Sequence, residues 1–215
     1  MSLEQEKRFR IGASHTIGSY VLPGEVIDTL HREVDQKIKL TIAPCDEIVE
    51  ALTSDKLDLG FIEFPVMDEN LCFTEWMHDE MVLCSKKQLP SFLGERDLNH
   101  CRLICREKEA LERQFIENFL EDEGLFSYDF AAIREMDNPT AIIQSIKWSK
   151  PHAEITSVAI VSKLSIEYEL KYNDLHASMI HGKPLMRTFY VVYKESLLER
   201  FDLASLKLAS CAVVG

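Results

Sequence analysis

Positive charge is scarce in this chain. Across 215 residues, 24 lysines and arginines stand against 36 aspartates and glutamates, a formal charge of −12. Domains that hold nucleic acid usually present a basic face, so this chain by itself is a poor candidate for that role. No run of 18 apolar residues occurs, and the N-terminus has no hydrophobic signal segment. That leaves no candidate membrane span and no candidate secretory leader. The seven histidines, at 15, 31, 78, 100, 152, 176 and 181, never fall into HxxxH or HExxH spacing, which argues against a metal site. GxSxG is absent, and no acid is placed to orient His15 beside Ser14, so a catalytic dyad or triad is disfavoured. The six cysteines, at 45, 72, 84, 101, 105 and 211, include no CxxC pair and mostly sit inside apolar runs. They read as buried, reduced thiols of a cytosolic protein. Cys101 and Cys105 share one face of a strand, which keeps a redox pair open as the weaker reading. There is no quotable internal repeat and no low-complexity tract. No cofactor-attachment motif is present, and no cofactor is expected.

The length fits one large domain or two small ones. Hydrophobic residues make up 46% of the chain, enough for a packed core. The informative stretch is Phe9 to Pro23. Arg8–Ala13 reads as a strand, and Ser14-His15-Thr16 lead from it into a helix. A helix start carries unpaired N–H groups and the positive end of the helix dipole. Short polar residues there either cap the helix or hold a small anion. Capping is the commoner role.

Pro23 can start or restart a helix, with Val26, Ile27, Leu30 and Val34 on one apolar face. Ile38, Leu40 and Ile42 alternate as a strand. Asp46 begins a helix with Ile48, Val49 and Leu52 inward. Leu57–Ile62 is a further strand, ending at Glu63-Phe64-Pro65. The order βαβαβ implies a parallel sheet, whose ligands gather at the carboxyl ends of the strands. Those ends are Ser14 to Thr16, Pro44-Cys45 and Glu63 to Pro65.

Two apolar runs, Leu71–Met77 and Met81–Ser85, come next. Lys86 to Asn99 is polar and suits a crossing segment. A second unit follows. Cys101–Cys105 is a strand, and Glu107–Glu123 a helix with Leu111, Phe115, Ile116, Phe119 and Leu120 inward, stopped by Gly124. Glu117, Glu121, Asp122 and Glu123 read as its solvated face. Phe130–Glu135 is a strand. Asn138 caps a helix that starts at Pro139, carried by Ala141, Ile142, Ile143, Ile146 and Trp148. Ser157–Val161 is a strand. The tail reads as a helix over Leu164–Leu170, strands over His176–Ile180 and Thr188–Tyr193, and a last helix over Leu197–Leu208.

An ordered series of short segments carries a resemblance. Arg10-Ile11-Gly12-Ala13-Ser14 is followed by Ile17-Gly18, Leu22-Pro23 and Glu47-Ile48-Val49-Glu50-Ala51-Leu52. Leu57-Asp58-Leu59-Gly60-Phe61-Ile62-Glu63 and Glu80-Met81-Val82-Leu83 come next. Ala159-Ile160-Val161-Ser162-Lys163 and Arg187-Thr188-Phe189-Tyr190-Val191-Val192 complete it. In this spacing the chain resembles the effector-binding domain of a LysR-type transcriptional regulator, from about Phe9 to about Leu208.

The resemblance implies an α/β, two-lobed fold of the periplasmic-binding-protein type 2 class, with two Rossmann-like subdomains joined by two crossover strands. Lobe I would comprise residues 6–85 and 165–215, lobe II residues 86–164. It implies an N-terminal helix-turn-helix domain outside this chain, through which alone DNA would be bound. It implies a small-molecule effector held in the cleft between lobes, and a homo-dimer or tetramer with contributions from the helices at Gly24–Val34 and Glu107–Glu123. Matched residue by residue, the effector-binding positions are Ser14, His15, Thr16, Glu63 and Phe64 in one lobe. In the other they are Arg106, beside Cys105, with Asn138 and Thr140. Two segments depart from the family pattern: Lys150-Pro151-His152-Ala153-Glu154, where a glycine-rich approach is usual, and Lys87-Gln88-Leu89-Pro90, where His-Pro-Leu-Ala is usual.

The chemistry of these residues can be argued separately. Each helix end is worth about 0.3–1 kcal/mol to a nearby anion, and each charge-assisted hydrogen bond about 1.5–3 kcal/mol. They suit a small carboxylate, sulfate or phosphate, with Arg106 as counter-ion if it turns inward. A solvated arginine is an equal alternative. Glu63 pulls the other way, because a carboxylate repels an anion. An anionic metabolite with a second polar group, an amine or hydroxyl, reconciles the two. A regulator that is not an enzyme is the leading expectation. A free-standing solute-binding protein and an enzyme of the same fold are the alternatives.

Overall fold

The computed structural model describes residues 8–34 and 36–199. The chain forms two units. One runs up to His78 and resumes at Thr188, and the other spans Asp79–Arg187.

In chain order, β1 is Arg8–Ala13, with the bounds that its apolar run predicts. Ile17–Val21 is a turn of the wider π-helical spacing. Helix α1 is Glu25–Val34. Pro23 stands two residues before it and does not start it, because Gly24 intervenes with a φ of +95°, a conformation that favours glycine. Of its predicted apolar face, Leu30 and Val34 are buried, while Val26 and Ile27 are only half-buried. Then come β2 (Lys37–Ile42), α2 (Cys45–Thr53) and β3 (Leu59–Ile62). Next is β4, a single 14-residue strand over Cys72–Ser85. The sequence reads as two runs there because His78, Asp79 and Glu80 interrupt the apolar pattern without breaking the extended backbone.

The polar stretch read as a crossing segment contains β5 (Phe92–Leu93) and the one-turn α3 (Glu95–Leu98). Strand β6 is Cys101–Cys105 and α4 is Leu111–Asp122. Strand β7 (Ala132–Glu135) and α5 (Pro139–Lys147) follow, the latter capped by Asn138 as expected. The rest is β8 (Thr156–Ser162), a 3-10 turn at Lys163–Ile166, α6 (Glu167–Lys171), β9 (His176–Ile180) and β10 (Leu185–Tyr193). The helix expected over Leu197–Leu208 falls almost wholly outside the described residues.

In the first unit β1 is central. It pairs in parallel with β2, Ala13 opposite Ile42, and with β3, Ala13 opposite Phe61. Beyond β3, β10 runs antiparallel. Gly12 and Gly60 are register partners, and they let α2 approach closely. A Cβ on Gly60 would stand 2.8 Å from Leu52 Cδ1 and 3.0 Å from Ile48 Cγ2, too close for a real side chain. Ile48, Val49 and Leu52 of α2 pack with Cys45, Ile62, Leu71 and Val192.

In the second unit β6 is central and parallel to both β7 and β8. Strand β8 runs antiparallel to β4, and so does β9. Leu93, Leu98 and Ile180 share one core with Met81, Leu83, Leu103 and Ile160. That packing is why the chain divides at His78 and Thr188, inside the two long strands, whereas the sequence reading places the divisions near 85 and 164. Three side chains expected inward are not, the exposed Ala141 of α5 among them. Leu111 is 40% exposed, and Trp148, at the end of α5, is 84% exposed.

Asp79 and Arg187 sit at the two ends of the second unit's span and are both buried. Arg187 Nε donates to Asp79 Oδ2 at 2.8 Å, and Ser162 Oγ donates to Oδ1 at 2.8 Å. Glu112 lies 3.6 Å from Arg187 Nη1. Breaking a buried pair by removing one partner leaves an uncompensated charge. Asp79→Ala is therefore expected to cost about 3–5 kcal/mol. For a chain of this size each kcal/mol lowers the melting midpoint by about 2–4 °C, which thermal unfolding followed by circular dichroism reads directly.

Candidate functional site

Three parallel strand ends meet at one edge of the first unit. Ser14 follows β1, and its N–H donates to the Phe61 carbonyl of β3 at 2.9 Å. On the other side the Ala43 N–H, just past β2, donates to the Ala13 carbonyl at 3.1 Å. Cys45, Ser14 to Thr16 and Glu63 thus lie at neighbouring strand ends, as parallel pairing requires.

Ser14 takes no capping role. Its carbonyl accepts the Gly18 N–H at 2.8 Å, but its Oγ is buried and has no hydrogen-bond partner among the described residues. Thr16 is buried as well and makes no side-chain cap to the turn that follows. His15 and Phe64 are half-buried, and Phe64 packs against the α2 core. Glu63 is 6% exposed. The Cys45 thiol donates to its Oε2 at 3.7 Å, while Oε1 has no partner among the described residues. Burial first, and the Glu63 charge second, push the Cys45 thiol up to about 12, although it opens helix α2, where a dipole favours the thiolate. The Cys45–Glu63 contact escapes sequence reasoning. Cys45 is visible there only as a strand-end residue, and only the parallel register brings it to Glu63.

The remaining site residues belong to the second unit. Asn138 Oδ1 accepts the Ala141 N–H at 3.2 Å, so its side chain is used as a cap. Thr140 is exposed. Arg106 is neither turned to solvent nor uncompensated. It forms a two-pronged pair with Glu107, Nε to Oε2 at 3.0 Å and Nη2 to Oε1 at 2.7 Å. Its charge is answered within the chain.

Arg113 is a feature the sequence reading does not single out. It is 1% exposed and its Nη1 contacts Cys105 Sγ at 2.6 Å and the Arg106 carbonyl at 2.9 Å. Its Nε donates to Glu117 Oε1 at 2.8 Å. Two acids read as solvated are therefore engaged: Glu117 with Arg113, and Glu123 with Lys183 at 2.6 Å. A pocket of about 190 Å³ beside them is lined by Glu117, Glu121, Phe126, Ser127 and Tyr128 and contains none of the predicted site residues. Among the described residues no group of three or more His, Cys, Asp or Glu is placed to hold a metal ion, and no helix is long and apolar enough to cross a membrane.

Residues 3–201 match the family described as the LysR substrate binding domain. Over 193 residues, 88% of this chain, the sequence is 25% identical to the uncharacterised HTH-type transcriptional regulator YeiE of Escherichia coli K12. The match covers 63% of that relative, so the chain spans less than two thirds of its length. Among solved structures, the chain is similar to the cofactor-binding domain of the Cbl transcriptional regulator, with a TM-score of 0.72 and 17% identity over 99% of this chain and 92% of that one. It is similar also to the CcmR regulatory domain of Synechocystis PCC6803 in complex with 2-PG, with a TM-score of 0.71 and 17% identity over 93% and 92% of the two chains. These likenesses show the fold, the two-lobed periplasmic-binding-protein-like α/β fold of LysR regulatory domains.

The thiols carry their own prediction. Burial raises Cys45 and Cys84 to about 12, and Cys101 and Cys105 to about 11. The thiolate is the reactive form, so all four are expected to resist alkylation at pH 8 in the folded protein. Half-buried Cys72 is expected to react before any of them. Mass spectrometry of iodoacetamide-treated protein, folded and then denatured, checks the order. Early labelling of Cys101 together with Cys105 would revive the redox-pair reading.

Proposed function

The chain belongs to the LysR substrate binding domain family, and from that premise we propose that it is the effector-sensing part of a cytoplasmic transcriptional regulator. In the whole protein an N-terminal helix-turn-helix domain binds DNA, and the sensed molecule is a small anionic metabolite that alters transcription. The relative named as an HTH-type regulator supports the first part. The regulatory domain solved with 2-PG supports the second. Nothing in the site calls for catalysis, and the family's relatives are described as regulators.

The observation that carries the site assignment is Ser14. Its buried Oγ lacks a hydrogen-bond partner among the described residues, at a strand end where open α/β sheets bind ligands. A buried polar atom without a partner costs about 1–3 kcal/mol, which a ligand hydrogen bond offsets. We assign the effector-binding residues unit by unit. They are Ser14, His15, Thr16, Glu63 and Phe64 in the first, and Arg106, Asn138 and Thr140 in the second. Because Arg106 is paired with Glu107, backbone N–H groups and hydroxyls carry most of the anion recognition. The protein acts as a homo-dimer or tetramer, with α1 and α4 contributing to the contact.

Thermal unfolding against a panel of inorganic anions, dicarboxylates, aromatic acids, amino acids and sugar phosphates tests the reading. A ligand at 100 times its dissociation constant adds about 2.7 kcal/mol, about 2–4 °C of midpoint for each kcal/mol in a chain of this size. One chemical class is expected to shift the midpoint, and Ser14→Ala and Thr140→Ala are each expected to reduce the shift. A panel with no shift, or a shift that neither variant alters, overturns the assignment. Sedimentation at tens of micromolar is expected to show a dimer or larger.

A further inference from the structure

Glu63 narrows the effector's chemistry beyond its being an anion, and this inference rests on the reading that the first unit's strand ends hold the effector. A carboxylate accepts hydrogen bonds and donates none. Glu63 is buried, its Oε2 takes the Cys45 thiol, and its Oε1 has no partner among the described residues. Whatever completes Oε1 must bring an N–H or O–H. The neighbouring Ser14 Oγ, equally buried and without a partner there, can donate or accept. No lysine or arginine ion pair to Glu63 occurs among the described residues, so a plain anion would meet an unneutralised carboxylate and be repelled.

Cys45 supports this arrangement. At about 12, its thiol keeps its proton across ordinary pH, so it stays a donor to Oε2 and never becomes a second negative charge. Cys45 is thus a positioning residue. It holds one oxygen of the carboxylate and leaves the other without a partner among the described residues.

We propose that the site selects an effector bearing a hydrogen-bond donor, a protonated amine or a hydroxyl, which meets Glu63 Oε1, while Cys45 fixes the carboxylate through Oε2. The chemical class is an amino or hydroxy acid. A simple carboxylate or sulfate lacks the donor.

Matched triads of ligands test this on the full chain. Each triad shares one skeleton and carries a hydrogen, a hydroxyl or an ammonium at one carbon: propionate, lactate and alanine; succinate, malate and aspartate; 3-phenylpropionate, phenyllactate and phenylalanine. Affinities come from thermal unfolding and titration calorimetry. In the skeleton that binds, a donor-bearing member is expected to bind about tenfold to a hundredfold more tightly than the donor-free one, the span of a charge-assisted hydrogen bond. Glu63→Gln, whose neutral carbonyl accepts more weakly than a carboxylate, is expected to reduce that preference, and Glu63→Leu, which removes the acceptor, to erase it. Cys45→Ala is expected to weaken it, and Cys45→Ser, which restores a donor to Oε2, to recover it. The wild-type comparison stands even if a variant does not fold. Equal affinity across a triad, with binding still lost in Ser14→Ala, overturns the donor requirement and leaves the effector reading intact. No binding of any member overturns both.

Discussion

The pairing of Arg10 with Asp58 sets the register on which the rest of the first unit depends. The Arg10 backbone N–H and Nε both donate to Asp58 Oδ2, at 2.8 and 3.0 Å, and Nη2 donates to Oδ1 at 2.9 Å. The Asp58 N–H returns a bond to the Arg10 carbonyl at 2.8 Å. This clamp stands just before β3 and fixes where it lies against β1. A slip of one residue would turn every side chain of β3 to the opposite face. Gly60 would leave its place beside Gly12, and α2 would lose the flat bed that Ile48 and Leu52 need. At the far end, Glu63 would no longer sit by Cys45.

The site is therefore an outcome of sheet geometry more than of local sequence. Parallel strands that start in register end in register, so the residues just past their carboxyl ends are neighbours however distant in the chain. Two of those residues leave buried polar atoms, Ser14 Oγ and Glu63 Oε1, without a partner among the described residues. Most buried polar groups in folded proteins are satisfied. An exception at the edge where ligands bind in such sheets is a local conflict of the kind that function explains.

The second unit handles buried charge differently. Arg113 and Arg187 lie almost wholly inside it, each held by acidic partners. Arg113, paired with Glu117 one turn along the same helix, anchors α4 to the strand end at Cys105. Arg187 joins β10 to Asp79 of β4, on the stretch where the chain passes from one unit to the other. These cations fix elements in place.

The sequence by itself determined the elements whose signals are local. The bounds of β1 and β6 followed from short apolar runs, and Asn138-Pro139 marked the start of α5 through cap chemistry. The order βαβαβ placed Ser14, Cys45 and Glu63 at strand ends, and the spaced segments from Arg10 to Val192 pointed to the family. Tertiary structure decided what depends on partners distant in sequence. Trp148 continues the apolar pattern of α5 yet is exposed, because the helix ends beneath it. Nothing local singles out Arg113, and it is buried where Cys105, Glu117 and Ser127 converge on it. Lys86 through Asn99 looked like a passage between lobes but packs into the second core through Leu93 and Leu98. The thiol that meets Glu63 became visible only once β2, β1 and β3 were set side by side, because periodicity records which face a residue takes and is silent about which neighbour stands across from it.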